Sequence, residues 1–296
     1  MLTGIEVAVI GGDLRQLEVI QSLAELDAAV TLFGYDNWQN GMISVKRGEL
    51  VPDALAGMDA LILPITGLDD TGQIESIFTS KPLILDDVHI SSLRKNAVIY
   101  TGFAKPYLKN LCERHGIALV ELLDRDDVAI YNSIPTAEGA IMIAIQNTDF
   151  TLHGSTAMVL GFGRTGMTLA RSLYGLGAKV KVGVRRSEHM ARAAEMGFSP
   201  FYTERLSEEI ADVDILFNTV PSMIVTAQVI ANMKHSALII DLASKPGGTD
   251  FRFAEKRGIK AVLAPGLPGI VAPKTAGKIL AMCLAQCLKD QFKDRG

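Results

Sequence analysis

VLGFGRTGMTLARSL, residues 159–173, is the stretch from which the rest of the chain is read. It sets Gly161, Gly163 and Gly166 in a GxGxxG pattern, directly after the β-branched run TAMVLG (156–161) and at the head of an amphipathic helical pattern. Each glycine then has a physical reason. The first permits a tight turn, the second lets a pyrophosphate approach backbone N–H groups at a helix N-terminus, and the third lets helix and strand pack closely. Gly161, Phe162, Gly163, Arg164, Thr165 and Gly166 are therefore expected to cradle a dinucleotide.

Cofactor choice is read at the end of the next strand, where an acidic side chain would accept hydrogen bonds from the ribose 2′-hydroxyl. Arg185, Arg186 and Ser187 stand there instead. Two guanidinium groups and a hydroxyl offer donors to a 2′-phosphate, and no carboxylate in that triplet repels it, so NADP is expected, with NAD possible. A solvated helix cap is the alternative reading of the two arginines. Two later strand ends face the same crevice: Asn218, Thr219, Val220 and Pro221 after one strand, and Asp241, Leu242, Ala243, Ser244 and Lys245 after another. Thr219, Val220, Pro221, Leu242 and Ala243 are assigned to the nicotinamide half of the cofactor, because open α/β sheets bind ligands at strand carboxyl ends. Asp241 stays open between a structural cap and a ligand contact.

Outward from this motif, short β-branched runs alternate with helix-length segments over all 296 residues. Before it come IEVAVI (5–10), AAVTLF (28–33), ALILPI (60–65), PLILDD (82–87), AVIYTG (97–102) and IALVEL (117–122), with helices over 14–26 and 105–116. After it come AKVKVGV (178–184), VDILFNTV (213–220), ALIIDL (237–242) and IKAVLA (259–264). This rhythm predicts an α/β fold of two Rossmann-like or flavodoxin-like doubly wound parallel-sheet domains joined by linking helices. The first domain is placed at 1–133 plus a returning C-terminal helix at 272–296, and the dinucleotide domain at 151–271. A linking helix is placed at 134–150, with Pro135 in its first turn and Glu138 near the positive end of its dipole. Two crossings between domains favour an active site between them. The first domain's VIGGDLRQLE resembles a nucleotide turn but lacks the third glycine and sets Asp13 where a phosphate would sit; Arg15 is either a carboxylate clamp or a surface ion pair.

Composition narrows the partners. Apolar residues are 48%, charged ones 21%, mean hydropathy is +0.25 and the formal charge is −4 with no basic run, so a small molecule is favoured over nucleic acid or anionic lipid. The opening MLTGIEVAVIGGD has no basic leader and no uncharged apolar stretch reaches about 18 residues, so a cytoplasmic protein without a membrane span is expected. Cys112, Cys283 and Cys287 show neither disulfide nor zinc spacing, and no metal site is expected. Cys283 and Cys287 share an apolar helical face with Ala276, Ile279, Leu280, Leu284 and Leu288 and read as core residues.

Several long strings in order, VAVIGGDLRQLE (7–18), YNSIPTAEGAIMIAIQNTDFTLHGS (131–155), VLGFGRTGM, DLASKPGGTDF (241–251) and APGLPGIVAPKTAG (264–277), resemble the dipicolinate synthase A-subunit family of spore-forming bacteria over essentially the whole chain. The resemblance implies NADP-dependent oxidation of a dihydrodipicolinate-type product of the lysine pathway to pyridine-2,6-dicarboxylate, in the mother cell during sporulation, with a flavoprotein-like second (B) component, the other half of dipicolinate synthase. For such a dicarboxylate substrate, Asn132, Ser133, Thr136, Ser244 and Lys245 are the candidate catalytic and anchoring residues. Capping of the linking helix is the alternative for Ser133 and Thr136, and no general base is named. Three rival readings remain. A D-2-hydroxy-acid dehydrogenase needs a late histidine, and the last here is His235. A methylenetetrahydrofolate dehydrogenase needs a Tyr/Lys pair in a recognisable motif. An NADP-holding scaffold would leave the chemistry to a partner. By analogy with other α/β dehydrogenases, a homo-oligomer is expected.

Overall fold

The computed structural model describes residues 1–39 and 45–293; residues 40–44 and 294–296, inside the ranges expected for the first domain, lie outside the described residues. Two units result, Met1–Ala129 with Ala272–Gly296, and Ile130–Val271.

In the first unit the order is β1 (Glu6–Ile10), α1 (Leu14–Glu25), β2 (Ala29–Phe33), β3 (Val45–Gly48), α2 (Pro52–Leu55), β4 (Ala60–Ile62), β5 (Gln73–Ile74), β6 (Leu83–Ile84), α3 (Asp87–Ser91), β7 (Val98–Thr101), α4 (Pro106–His115) and β8 (Ala118–Glu121). Six strands pair in parallel in the order β3-β2-β1-β4-β7-β8. Val7, Ala8, Val9 and Ile10 are all buried, as a strand covered on both faces requires. One strand assignment is corrected and one strand is new. PLILDD does not enter this sheet: Leu83 and Ile84 pair antiparallel with β5 in a separate ribbon, and Asp86 serves as N-cap of α3. The sheet edge is instead VKRG (45–48), a polar run whose pairing leaves no apolar trace in the sequence.

Asp13 caps α1 by accepting from the Arg15 backbone N–H, and its carboxylate also holds the Arg15 guanidinium at 2.6 Å. The ion-pair reading of Arg15 is therefore the one realised, and the turn is closed by its own side chains.

The linking helix differs from expectation. It is α5 (Asp126–Gln146), starting eight residues before 134, with Asp126 and Asp127 in its first turn. Pro135 lies inside it, where the ring removes one ladder bond, and Glu138 lies beyond reach of the N-terminal dipole. With 21 residues and a hydropathy of 1.3, α5 is also long and apolar enough, by length and composition, to cross a membrane, although Asp126, Asp127 and Glu138 keep any uncharged stretch in it short of 18 residues. One face is core: Ala137, Ala140 and Ala144 are buried with Leu169, Leu173 and Leu267. The other exposes Ile130, Ile134, Met142 and Ile145.

The second unit continues with β9 (Thr156–Leu160), α6 (Arg164–Gly175), β10 (Lys179–Val184), α7 (Ser187–Glu195), β11 (Ser199–Tyr202), α8 (Leu206–Glu209), β12 (Ile215–Asn218), α9 (Ala227–Ala231), β13 (Leu238–Asp241), α10 (Phe251–Lys256), β14 (Lys260–Leu263) and α11 (Leu267–Val271). Its six strands are parallel in the order β11-β10-β9-β12-β13-β14, the same winding as the first sheet. This is the doubly wound dinucleotide-binding order. β11, SPFY, adds a strand that periodicity does not reveal, because it contains Pro200, which an edge strand tolerates.

The chain ends with α12 (Pro273–Gln291), packed on α1 of the first unit. Gly277 passes against the Arg15 carbonyl so closely that a Cβ would overlap it. Ile279, Leu280, Cys283, Leu284 and Leu288 are buried in one core with Val19, Ile20 and Leu23, and Cys287 packs at its margin, half-exposed.

Candidate functional site

The end of β9 and the start of α6 make the centre of the site. Gly161 has φ of +91°, a conformation L side chains rarely adopt, and a Cβ there would stand 2.5 Å from the Thr219 Oγ1. Gly166 is buried, and a Cβ on it would overlap the Gly161 carbonyl oxygen, so helix and strand meet here with no room for a side chain. Gly163 is different in kind. It is the N-cap of α6 with extended dihedrals (φ −91°, ψ −158°), and a Cβ on it would meet nothing within 4 Å. Open space therefore sits directly over a 12-residue helix N-terminus that carries no acidic residue in its first turn. Helix-end N–H groups and the helix dipole favour an anion there. A nicotinamide dinucleotide fits this donor set, with Gly163, Arg164 and Thr165 around the pyrophosphate position. Phe162 does not belong with them: its ring is buried, edge-on to His189 and Phe198, and serves the core.

Neighbouring strand ends complete the edge. Arg185, Arg186 and Ser187 follow β10, beside β9, with all three side chains exposed. Arg185 has no ion-pair partner among the described residues. Arg186 does: Glu188, one residue past the triplet, sits 3.3 Å from its Nη1. The Glu188 carboxyl is held below its usual range by its own backbone N–H and by Arg186. Both guanidinium groups thus stay exposed, Arg185 without an ion-pair partner among the described residues and Arg186 with a carboxylate close by.

On the other side of β9, Asn218 ends β12 opposite Asp241 at the end of β13. Both are fully buried. The Asn218 amide is bonded both ways to Val220, accepting its N–H and donating to its carbonyl, each at 3.0 Å. Thr219 gives its hydroxyl to the Leu160 carbonyl at 2.8 Å and braces the glycine turn from below, with Val220 beside it. Asp241 accepts from the Ala243 N–H (3.0 Å), the Gly248 N–H (2.8 Å) and the Thr249 hydroxyl (2.6 Å). One buried carboxylate thereby grips both ends of the 243–249 loop, which settles the open reading of Asp241 in favour of structure. The Gly248 carbonyl accepts from Ile224 and Val225 and ties this loop to the one after β12. Leu242 and Ala243 are drawn in by this network, while Pro221, Ser244 and Lys245 are left exposed on the two loops.

The α5 candidates are placed elsewhere in the unit's framework. Ser133 is buried; its hydroxyl donates to the Ile130 carbonyl and lies 2.6 Å from the Thr168 hydroxyl of α6, so it pins helix to helix and offers nothing to a substrate. Thr136 donates to the Asn132 carbonyl at 2.8 Å, a bond within the helix, and neither residue is a cap. Asn132 is half-exposed, and its side-chain amide has no hydrogen bond among the described residues.

Residues 6–123 match the family described as the N-terminal domain of the dipicolinate synthase A-subunit, and residues 137–245 match the D-isomer specific 2-hydroxyacid dehydrogenase, NAD binding domain. Over 296 residues, all of both chains, the sequence is 49% identical to the dipicolinate synthase A-subunit of Bacillus subtilis (strain 168). The chain belongs to the dipicolinate synthase A-subunit family. A crystal structure of the dipicolinate synthase A-subunit from Bacillus halodurans superposes with a TM-score of 0.95 at 51% identity, covering 97% of this chain and 99% of that one. A transhydrogenase from Sinorhizobium meliloti, 16% identical and covering 96% and 93%, shares the fold with a TM-score of 0.70. Within its dipicolinate synthase family, then, this chain carries a dehydrogenase-type domain of a family named for binding NAD, and its full-length relatives are described as one subunit of the synthase.

Proposed function

We propose that this chain oxidises a dihydrodipicolinate-type intermediate to pyridine-2,6-dicarboxylate with NADP+ as hydride acceptor. The observation that carries the reading is the open, anion-favouring space over Gly163, framed by two glycines that cannot bear a side chain. Aromatising a dihydropyridine ring removes a hydride and a proton; bound NADP+ would accept the hydride, and the proton would pass to solvent water. The chain's own residues then have two tasks. Backbone N–H groups at the head of α6 hold the pyrophosphate, and Arg185 meets the 2′-phosphate. Ser244 and Lys245, exposed at the carboxyl end of β13 with no side-chain hydrogen bond or ion pair among the described residues, present a hydroxyl and an ammonium suited to a substrate carboxylate. Asn132 is a further polar candidate on α5.

The test is a mixture of purified chain, the lysine-pathway intermediate and NADP+, followed for NADPH and pyridinedicarboxylate, with and without the flavoprotein-like B component. The two products should rise together. Pyridinedicarboxylate formed with no NADPH and no need for NADP+ would remove the hydride-acceptor role and leave the scaffold reading.

NADP preference rests on Arg185. Arg185→Asp is expected to weaken NADP+ on the order of tenfold or more while changing NAD+ less than about twofold, because it sets a carboxylate against the 2′-phosphate. Equal losses in parallel fluorescence titrations would refute the assignment.

By family we place the reaction in the mother-cell cytoplasm of a sporulating bacterium. We also propose self-association through the second unit, where Met142, Ile145 and Leu176 are exposed around a shallow depression of about 580 Å³ that Glu138 and Ser172 border. A solution mass equal to one chain by light scattering would contradict it.

A further inference from the structure

Cys283 and Cys287 lie one turn apart on α12 with sulfur atoms 4.0 Å apart. Cys283 is buried and Cys287 is half-exposed. Arg125 stands over them. Its guanidinium is locked to Asp127 by Nε–Oδ1 (3.0 Å) and Nη2–Oδ2 (2.8 Å), and the remaining Nη1 reaches the Cys287 Sγ at 3.8 Å. Tyr100 and Asp290 complete the surroundings. A thiolate at Cys287 therefore accepts the Cys283 S–H and one Arg125 N–H. The Cys283 hydrogen bond, then the arginine charge, outweigh partial burial and pull the Cys287 thiol down to about 6, while Cys283 is pushed up. Cys112 has no such neighbours among the described residues, and burial lifts its thiol to about 11. Low-lying, solvent-reachable thiolates beside a second thiol are the ones oxidants select.

We propose that Cys287 is a nucleophilic site for a hydroperoxide-class oxidant, with Cys283 as its resolving thiol. In the first step the Cys287 sulfur attacks the terminal peroxide oxygen: an S–O bond forms, the O–O bond breaks, and the leaving oxygen takes a proton from solvent as an alcohol or water. Sulfur is oxidised and the peroxide reduced. In the second step Cys283 attacks the sulfenic sulfur, the S–S bond forms, the S–O bond breaks, and the Cys283 proton leaves with the hydroxyl as water. Side chains four apart on a helix have Cβ atoms about 5–6 Å apart, whereas a disulfide holds them near ~4 Å, so closure tightens the 283–287 turn under the α1 contact.

Limited alkylation with iodoacetamide near neutral pH, read by peptide mass spectrometry, tests this on the intact chain. Trypsin releases both cysteines in one peptide, ILAMCLAQCLK (279–289). Cys287 should be labelled first, ahead of Cys112. Hydrogen peroxide beforehand should block that label and leave the peptide lighter by two hydrogens. In Cys283→Ser, a sulfenic-acid trap such as dimedone should capture Cys287 instead, and Arg125→Gln should slow alkylation on the order of tenfold. Labelling of Cys112 before Cys287, or a peptide unchanged by peroxide, overturns the proposal in the unmodified protein, whatever the variants do.

Discussion

Gly163→Val is expected to leave the chain folded and to abolish dinucleotide binding. The position has extended dihedrals that valine adopts freely and no atom within 4 Å of a built Cβ, so folding loses little. In the proposed reading the same open space is where backbone N–H groups at the head of α6 would meet a pyrophosphate, and branched methyls there would exclude it. We expect affinity to fall at least about a hundredfold, roughly 3 kcal/mol, with an unchanged melting temperature in the absence of cofactor. Wild-type affinity in the folded variant would sink the fingerprint assignment, and with it the proposed reaction.

Gly166→Val, three residues on, should do the opposite. Here any side chain overlaps the Gly161 carbonyl, and the obstacle is backbone of the glycine turn rather than the tip of a flexible side chain. Relief requires α6 to move away from β9, which breaks the packing of Leu169, Ala170 and Leu173 in the second unit's core. A loss of at least about 3 kcal/mol, a drop of roughly 10 °C for a unit of this size, is expected in thermal unfolding. A variant that melts with the wild type would show that the helix and strand tolerate separation. Taken together the two substitutions separate a glycine kept for ligand from one kept for packing.

Much of this is legible in the sequence because it is local. A GxGxxG between a β-branched run and an amphipathic run announces strand, turn and helix within a short stretch, and 137–245 does match a dinucleotide-binding family. What stays hidden depends on how the folded backbone turns groups onto one another, near or far in the chain. Asp241 looks like any strand-end acid until the amides of Ala243 and Gly248 fold back on it. Ser133 looks like a cap because Pro135 favours a helix start, whereas the acidic pair Asp126 and Asp127 already begins the helix and turns Ser133 inward onto Thr168. Glu188 lies just past the triplet from which NADP is proposed, and only the folded loop brings its carboxylate back onto Arg186. Edge strands β3 and β11 carry polar residues or proline, since only one side of each is paired, and periodicity fails there first.

The return of α12 to the first unit has a consequence for synthesis on the ribosome. Residues 130–271 are contiguous and can close their core as soon as they emerge, whereas Val19, Ile20 and Leu23 wait for a helix made from the last residues of the chain. At ordinary elongation rates that delay is about 10–50 s. Chains truncated before residue 273 and released should be cut by protease within the first 129 residues yet resist it across the later unit; uniform resistance would mean that α1 finds shelter without α12.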